Sequence, residues 1–168
     1  MAVVTELIRS EANGAVSFGD YTLTEKKKLE DFAHGSDSLK VKTFNEITRL
    51  EKNGLFVYES VPGTAVTMFE ETADGISFTV EGPQDAQITV GLAEDTEYTV
   101  SVGGESIGKL KTNLGGKLSF NVNLEGNGEV SVLVEFIHLF FHDAEAIRVF
   151  EEGCYVAEID SWLWEIWY

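Results

Sequence analysis

The sequence predicts a mainly β protein: an antiparallel β-sandwich or partly open barrel over residues 1–136, then a short helical, aromatic-rich appendage over 137–168. Three observations predict it. Runs of β-branched and aromatic residues alternate with polar ones from Gly54 to Phe136. Turn residues separate these runs at roughly 8–12-residue intervals, the spacing of sandwiches and barrels. After Phe136 the period changes from two to a helical stripe, and all three tryptophans of the 168-residue chain fall within residues 162–168.

The first 50 residues are the least regular. Val3 to Ile8 and Ala15 to Phe18 read as strands. Thr24 to Phe32 admits two readings: Thr24 caps a short helix through Leu29, or Leu23, Glu25, Lys27 and Leu29 alternate as a strand, which is preferred. Ser38 to Phe44 sets Leu39, Val41 and Thr43 against Lys40 and Lys42. Strands follow at Leu55–Tyr58, Ala65–Phe69, Ile76–Val80, Ala86–Val90, Tyr98–Val102, Leu118–Val122 and Val130–Phe136. Val61 to Thr64, Asp74-Gly75, Gly82 to Asp85, Gly103-Gly104 and Gly115-Gly116 supply the turns between them.

In the appendage, Asp143 is a fair N-cap for a helix over 144–152, and Gly153 suits its C′ position. From Tyr155 onward, Tyr155, Ile159, Trp162, Leu163 and Ile166 recur at helical spacing, with Glu158, Ser161 and Glu165 on the other face.

A formal charge of −17 opposes direct contact with nucleic-acid backbones and anionic membrane surfaces. Residues 1–60 carry 10 acids and 8 bases, residues 61–136 carry 12 and 3, and residues 137–168 carry 7 acids with only Arg148. The acidity therefore belongs to the second half. Cys154 stands alone, so no intrachain disulfide is expected. Residues 1–6 lack the basic start and apolar stretch of an export signal, and no apolar run is long enough to span a bilayer. A cytoplasmic location is the default expectation, with a phage particle or a trimmed export signal as alternatives.

No motif points firmly to a chemistry. Gly103 to Lys109 has the glycine and lysine spacing of a phosphate-binding loop, but Leu110 stands where Ser or Thr must hold magnesium, so a hairpin is expected. His138 and His142, with Asp143 beside them, form a weak metal candidate that lacks a fixed third ligand. Acidic pairs such as Glu70-Glu71, Glu94-Asp95 and Glu151-Glu152 read as solvated surface rather than a glycosidase pair. No Gly-x-Ser-x-Gly occurs, and no catalytic residue, resident metal or cofactor is expected.

One resemblance is carried by a series of motifs: Ser17 to Tyr21, Lys40 to Phe44, Leu50 to Gly54, Phe56 to Thr64, and Gly108 to Asn113. Over about residues 1–136 the chain resembles a family of small uncharacterised proteins of anaerobic gut bacteria, some of them labelled endosialidase. The resemblance implies a β domain closing near Phe136 and no particular activity. Sialidase-type enzymes use an arginine triad and Asp-box repeats; this chain has only Arg9, Arg49 and Arg148 and no Asp-box. Residues 137–168 depart from the family pattern.

The expected function is therefore a non-enzymatic protein-binding or assembly module. Its contact residues would be Tyr155, Ile159, Trp162, Leu163, Trp164, Ile166 and Trp167, meeting a protein partner or a second copy of the chain. Interfacial membrane helices carry Lys and Arg on the polar face, and this segment has none after Arg148. Two alternatives belong to other classes. One is an acidic inhibitor occupying a basic nucleic-acid-binding surface of another protein. The other is a carbohydrate-binding or carbohydrate-active sandwich with Tyr21, Tyr58 and Tyr98 as sugar platforms.

Overall fold

The computed structural model describes residues 3–137. They form thirteen strands in two antiparallel sheets, a sandwich not closed into a barrel, and no helix occurs among them. The strands are β1 (Ile8–Ser10), β2 (Val16–Phe18), β3 (Lys27–His34), β4 (Asp37–Phe44), β5 (Ile47–Lys52), β6 (Leu55–Val61), β7 (Ala65–Thr72), β8 (Gly75–Glu81), β9 (Ala86–Gly91), β10 (Glu97–Val102), β11 (Glu105–Lys111), β12 (Lys117–Val122) and β13 (Val130–Phe136). The first sheet runs β1-β2-β7-β8-β13-β10-β11 and the second β12-β9-β6-β5-β4-β3. The helical appendage expected over 137–168, with its caps at Asp143 and Gly153, lies outside the described residues apart from Ile137.

Alternation decides which residues enter the core. Ile76, Phe78 and Val80 on β8, Val132 and Val134 on β13, and Tyr98 and Val100 on β10 turn inward from the first sheet. Leu118, Phe120 and Val122 on β12, Ile88 and Val90 on β9, and Leu39 and Val41 on β4 meet them from the second. Between the sheets, Tyr58 stands edge-on to Phe18, Phe69 and Phe78 with ring centroids 5.3, 6.2 and 5.6 Å away. Such edge-to-face contacts are favourable beyond the area they bury.

A chain of buried hydroxyls crosses this core. The Asp20 backbone N–H donates to Thr43 Oγ1 at 2.9 Å, and Thr48 Oγ1 donates to the Thr64 carbonyl at 2.7 Å. Thr48 thereby spends its only proton, so the 2.8 Å contact with Thr43 has Thr43 as donor. Tyr58 and Ser60 each reach Thr64 Oγ1 at 2.8 Å. Every member is satisfied, which lets polar groups sit in the interior without the penalty of unpaired ones.

The structure agrees with the strand reading of Thr24–Phe32: the segment enters β3 and pairs with β4 through Leu29↔Val41 and Phe32↔Leu39. Gly103 and Gly104, at φ 62° and 87°, form the tight β10–β11 turn in place of a phosphate loop. Two expectations are corrected. Val3 to Ile8 is not a strand; a turn bonds Leu7 N–H to the Val4 carbonyl, Leu7 sits at φ 75°, and β1 begins only at Ile8. The Asp74-Gly75 hairpin slips by one residue, because Thr72 pairs with Gly75 and Ala73-Asp74 make the loop. β5 was not anticipated, and it occupies an interior position of the second sheet.

Candidate functional site

The outer face of the second sheet concentrates positive charge. On β4 and β5 the inward positions go to Val41, Thr43, Thr48 and Leu50, which forces Lys40, Lys42 and Arg49 outward. Register then aligns them: Lys28 is opposite Lys42, Lys42 opposite Arg49, and Arg49 opposite Glu59. Three cations thus stand side by side on three adjacent strands, about 5 Å apart at the backbone. Lys26, Lys28, Lys40, Lys42 and Arg49, with Glu51, line a shallow depression of 110 Å³ there.

A bulge completes the face. Leu50 pairs with Tyr58 and Glu51 with Phe56, so Val57 is an extra residue on β6 and Phe56 turns outward. The Arg49 guanidinium lies 5.2 Å from the centre of the Phe56 ring and Lys117 Nζ lies 4.6 Å from it. Carboxylates neutralise part of the charge. Arg49 Nε meets Glu51 at 3.1 Å and its Nη1 meets Glu59 at 3.4 Å, while Lys40 Nζ lies 3.7 Å from Glu30. Lys26, Lys28 and Lys42 have no carboxylate partner among the described residues.

A second feature lies where β3 and β5 of the second sheet meet β1 and β7 of the first. His34 Nε2 is 3.0 Å from the Gly14 carbonyl and donates to it; in a neutral ring Nδ1 then accepts the Ser10 hydroxyl at 2.7 Å. Lys52 on β5 reaches Glu71 on β7 at 2.5 Å, and this partner raises the lysine pKa above its ordinary value. These bonds flank a cavity of 260 Å³ lined by His34, Asp37, Lys52, Glu70 and Glu71 over a floor of Val16, Leu39, Leu50, Val57 and Phe69. The bonds join β3 to β1 and β5 to β7, so they latch the seam of the sandwich.

The residues singled out from sequence fare differently. Tyr155, Ile159, Trp162, Leu163, Trp164, Ile166 and Trp167 lie outside the described residues, as do Cys154 and the metal candidates His138, His142 and Asp143. No cluster of three or more potential metal ligands occurs among the described residues. Tyr21, Tyr58 and Tyr98 are buried, which removes them as sugar platforms: alternation turns Tyr58 and Tyr98 into the core. Burial raises the Tyr58 phenol well above the ordinary tyrosine range, against the opposing influence of the Thr64 and Ser60 hydroxyls. The cationic face was missed. Its one sequence signal was the outward phase of Lys40 and Lys42, and its assembly depends on cross-strand register.

The fold and this face define an antiparallel sandwich with a charged sheet surface. No protein-family model, curated protein or solved structure matches the chain. The resemblance to proteins of gut bacteria accordingly carries no assignment. No helix of the described residues is long and apolar enough to cross a membrane.

Proposed function

We propose that the chain is a non-enzymatic binding or assembly module that works through protein contacts, beginning with a second copy of itself. One observation supports this reading above others. The sandwich closes its core with its own aromatic residues, Phe18, Tyr58, Phe69, Phe78, Tyr98 and Phe120, while all three tryptophans belong to residues 162–168. Tryptophan in a segment also rich in Ile and Leu favours an interface anchor, since Trp supplies large contact area with few rotatable bonds. The contact set is Tyr155, Ile159, Trp162, Leu163, Trp164, Ile166 and Trp167. Most soluble oligomers are built from identical copies, which makes self-association the first contact to measure.

Replacing Trp162, Trp164 and Trp167 together by alanine is the direct test. Sedimentation velocity is expected to show a concentration-dependent oligomer for the full-length protein and a single slower species for the triple variant. An unchanged sedimentation profile in the variant would remove the tryptophans from the contact.

A further inference from the structure

We propose that the cationic face of β3, β4 and β5 is a binding site for a tetrahedral oxyanion, a phosphoryl or sulfo group, held by Lys26, Lys28 and Lys42 with Arg49 behind them. The site is separate from the assembly reading and shares no residue with it.

Three observations carry it. Like charges directly opposite on neighbouring strands are destabilising, yet Lys28, Lys42 and Arg49 occupy successive partner positions. The chain as a whole is strongly acidic, and still five of its twelve Lys and Arg residues line one depression. And the charge is only half compensated: Arg49 and Lys40 have carboxylate partners, while Lys26, Lys28 and Lys42 have none among the described residues. Lysines on an exposed edge also deter strand addition. That accounts for Lys26, Lys27 and Lys28 at the edge strand β3. It does not account for Lys42 or Arg49, because β4 and β5 are interior strands.

The donor set selects the ligand. An ammonium group is a compact point charge with three rotatable donors, suited to converge on a tetrahedral anion. Planar carboxylates are best gripped by a free guanidinium fork, and here the one fork already serves Glu51 and Glu59. A long polyanion is disfavoured, because the remainder of this acidic chain repels every charge that extends past the patch. A depression of 110 Å³ suits one such group rather than a strand of them. Phe56, flanked by Arg49 and Lys117, offers an aromatic surface beside it for whatever bears the anion.

The test is a titration of isotope-labelled full-length protein with inorganic phosphate at constant ionic strength, followed by amide chemical shifts. Saturable shifts confined to residues 26–28, 40–42 and 49 are expected. Lys28→Gln and Lys42→Gln should each weaken the apparent affinity about tenfold, the scale of one lost charged hydrogen bond. Lys109→Gln, on β11 of the other sheet, should leave it unchanged. Without phosphate, Lys42→Gln should melt no lower than the parent, since one of three opposed cations is gone. Sulfate titrated in parallel distinguishes a sulfo from a phosphoryl preference. The proposal is overturned by shifts that do not saturate, by an affinity unchanged from the parent in both lysine variants, or by a short oligonucleotide that outcompetes phosphate.

Discussion

Tyr58→Ala is expected to destabilise the sandwich by about 4 kcal/mol, the cost of removing a large aromatic from a packed core. The ring is fully buried and stands edge-on to Phe18, Phe69 and Phe78, so its loss leaves a cavity that two sheets cannot both relax to fill. Tyr58→Phe separates the ring from its hydroxyl. It deletes the bond to Thr64 Oγ1 but leaves that oxygen its partner Ser60, so about 1 kcal/mol is expected. Denaturant midpoints with unchanged slope would report both values. The phenol adds a pH signature. Its folded pKa is raised by burial, so its contribution is fully present below the unfolded value of about 10 and is lost as pH rises beyond it. Tyr58→Phe should therefore flatten part of the alkaline fall in stability.

Gly63→Ala is the second large effect, expected at about 3 kcal/mol or more, above ordinary surface substitutions. A Cβ at Gly63 would lie 2.0 Å from the Phe44 carbonyl oxygen, and that neighbour is backbone. The Gly63 N–H also donates to the Asn45 carbonyl at 3.0 Å, which pins the β6–β7 turn to the β4–β5 turn. Making room means parting two turns that a hydrogen bond holds together. Gly54→Ala is the matched comparison. Nothing lies within 4 Å of its Cβ, so only its φ of +82° opposes alanine, at about 1 kcal/mol. Similar losses at both positions, measured by urea unfolding, would contradict the steric account.

Much of the sandwich was legible because hairpin glycines and alternation report local geometry. Gly103-Gly104 needed both φ values positive, and the flanking Tyr98–Val102 pattern already had one face apolar. β5 escaped because its inward positions include Thr48, a polar residue that is buried only through its bonds to Thr43 and Thr64. The false strand over Val3–Ile8 looked apolar enough, but Val4 is buried from a turn rather than from a ladder.

The cationic face shows the harder limit. Counting charge along residues 1–60 averages 10 acids against 8 bases and conceals the patch. Only register reveals that Lys28, Lys42 and Arg49, up to 21 positions apart, are side-by-side neighbours. The bulge at Leu50/Glu51, which turns Phe56 into the same face, has no sequence signature of its own.

The proposed assembly role requires that the β unit over Met1–Phe136 fold without the residues that follow it. Light scattering on the full-length chain and on a chain ending at Phe136, each with far-ultraviolet dichroism, tests that requirement most directly. The full chain should exceed its monomer mass of 18.5 kDa, while the shorter one should be monomeric with its β spectrum and cooperative melting intact. An unfolded short chain would show instead that residues after Phe136 belong to the core, and a full chain that stays at monomer mass at every concentration would contradict self-assembly.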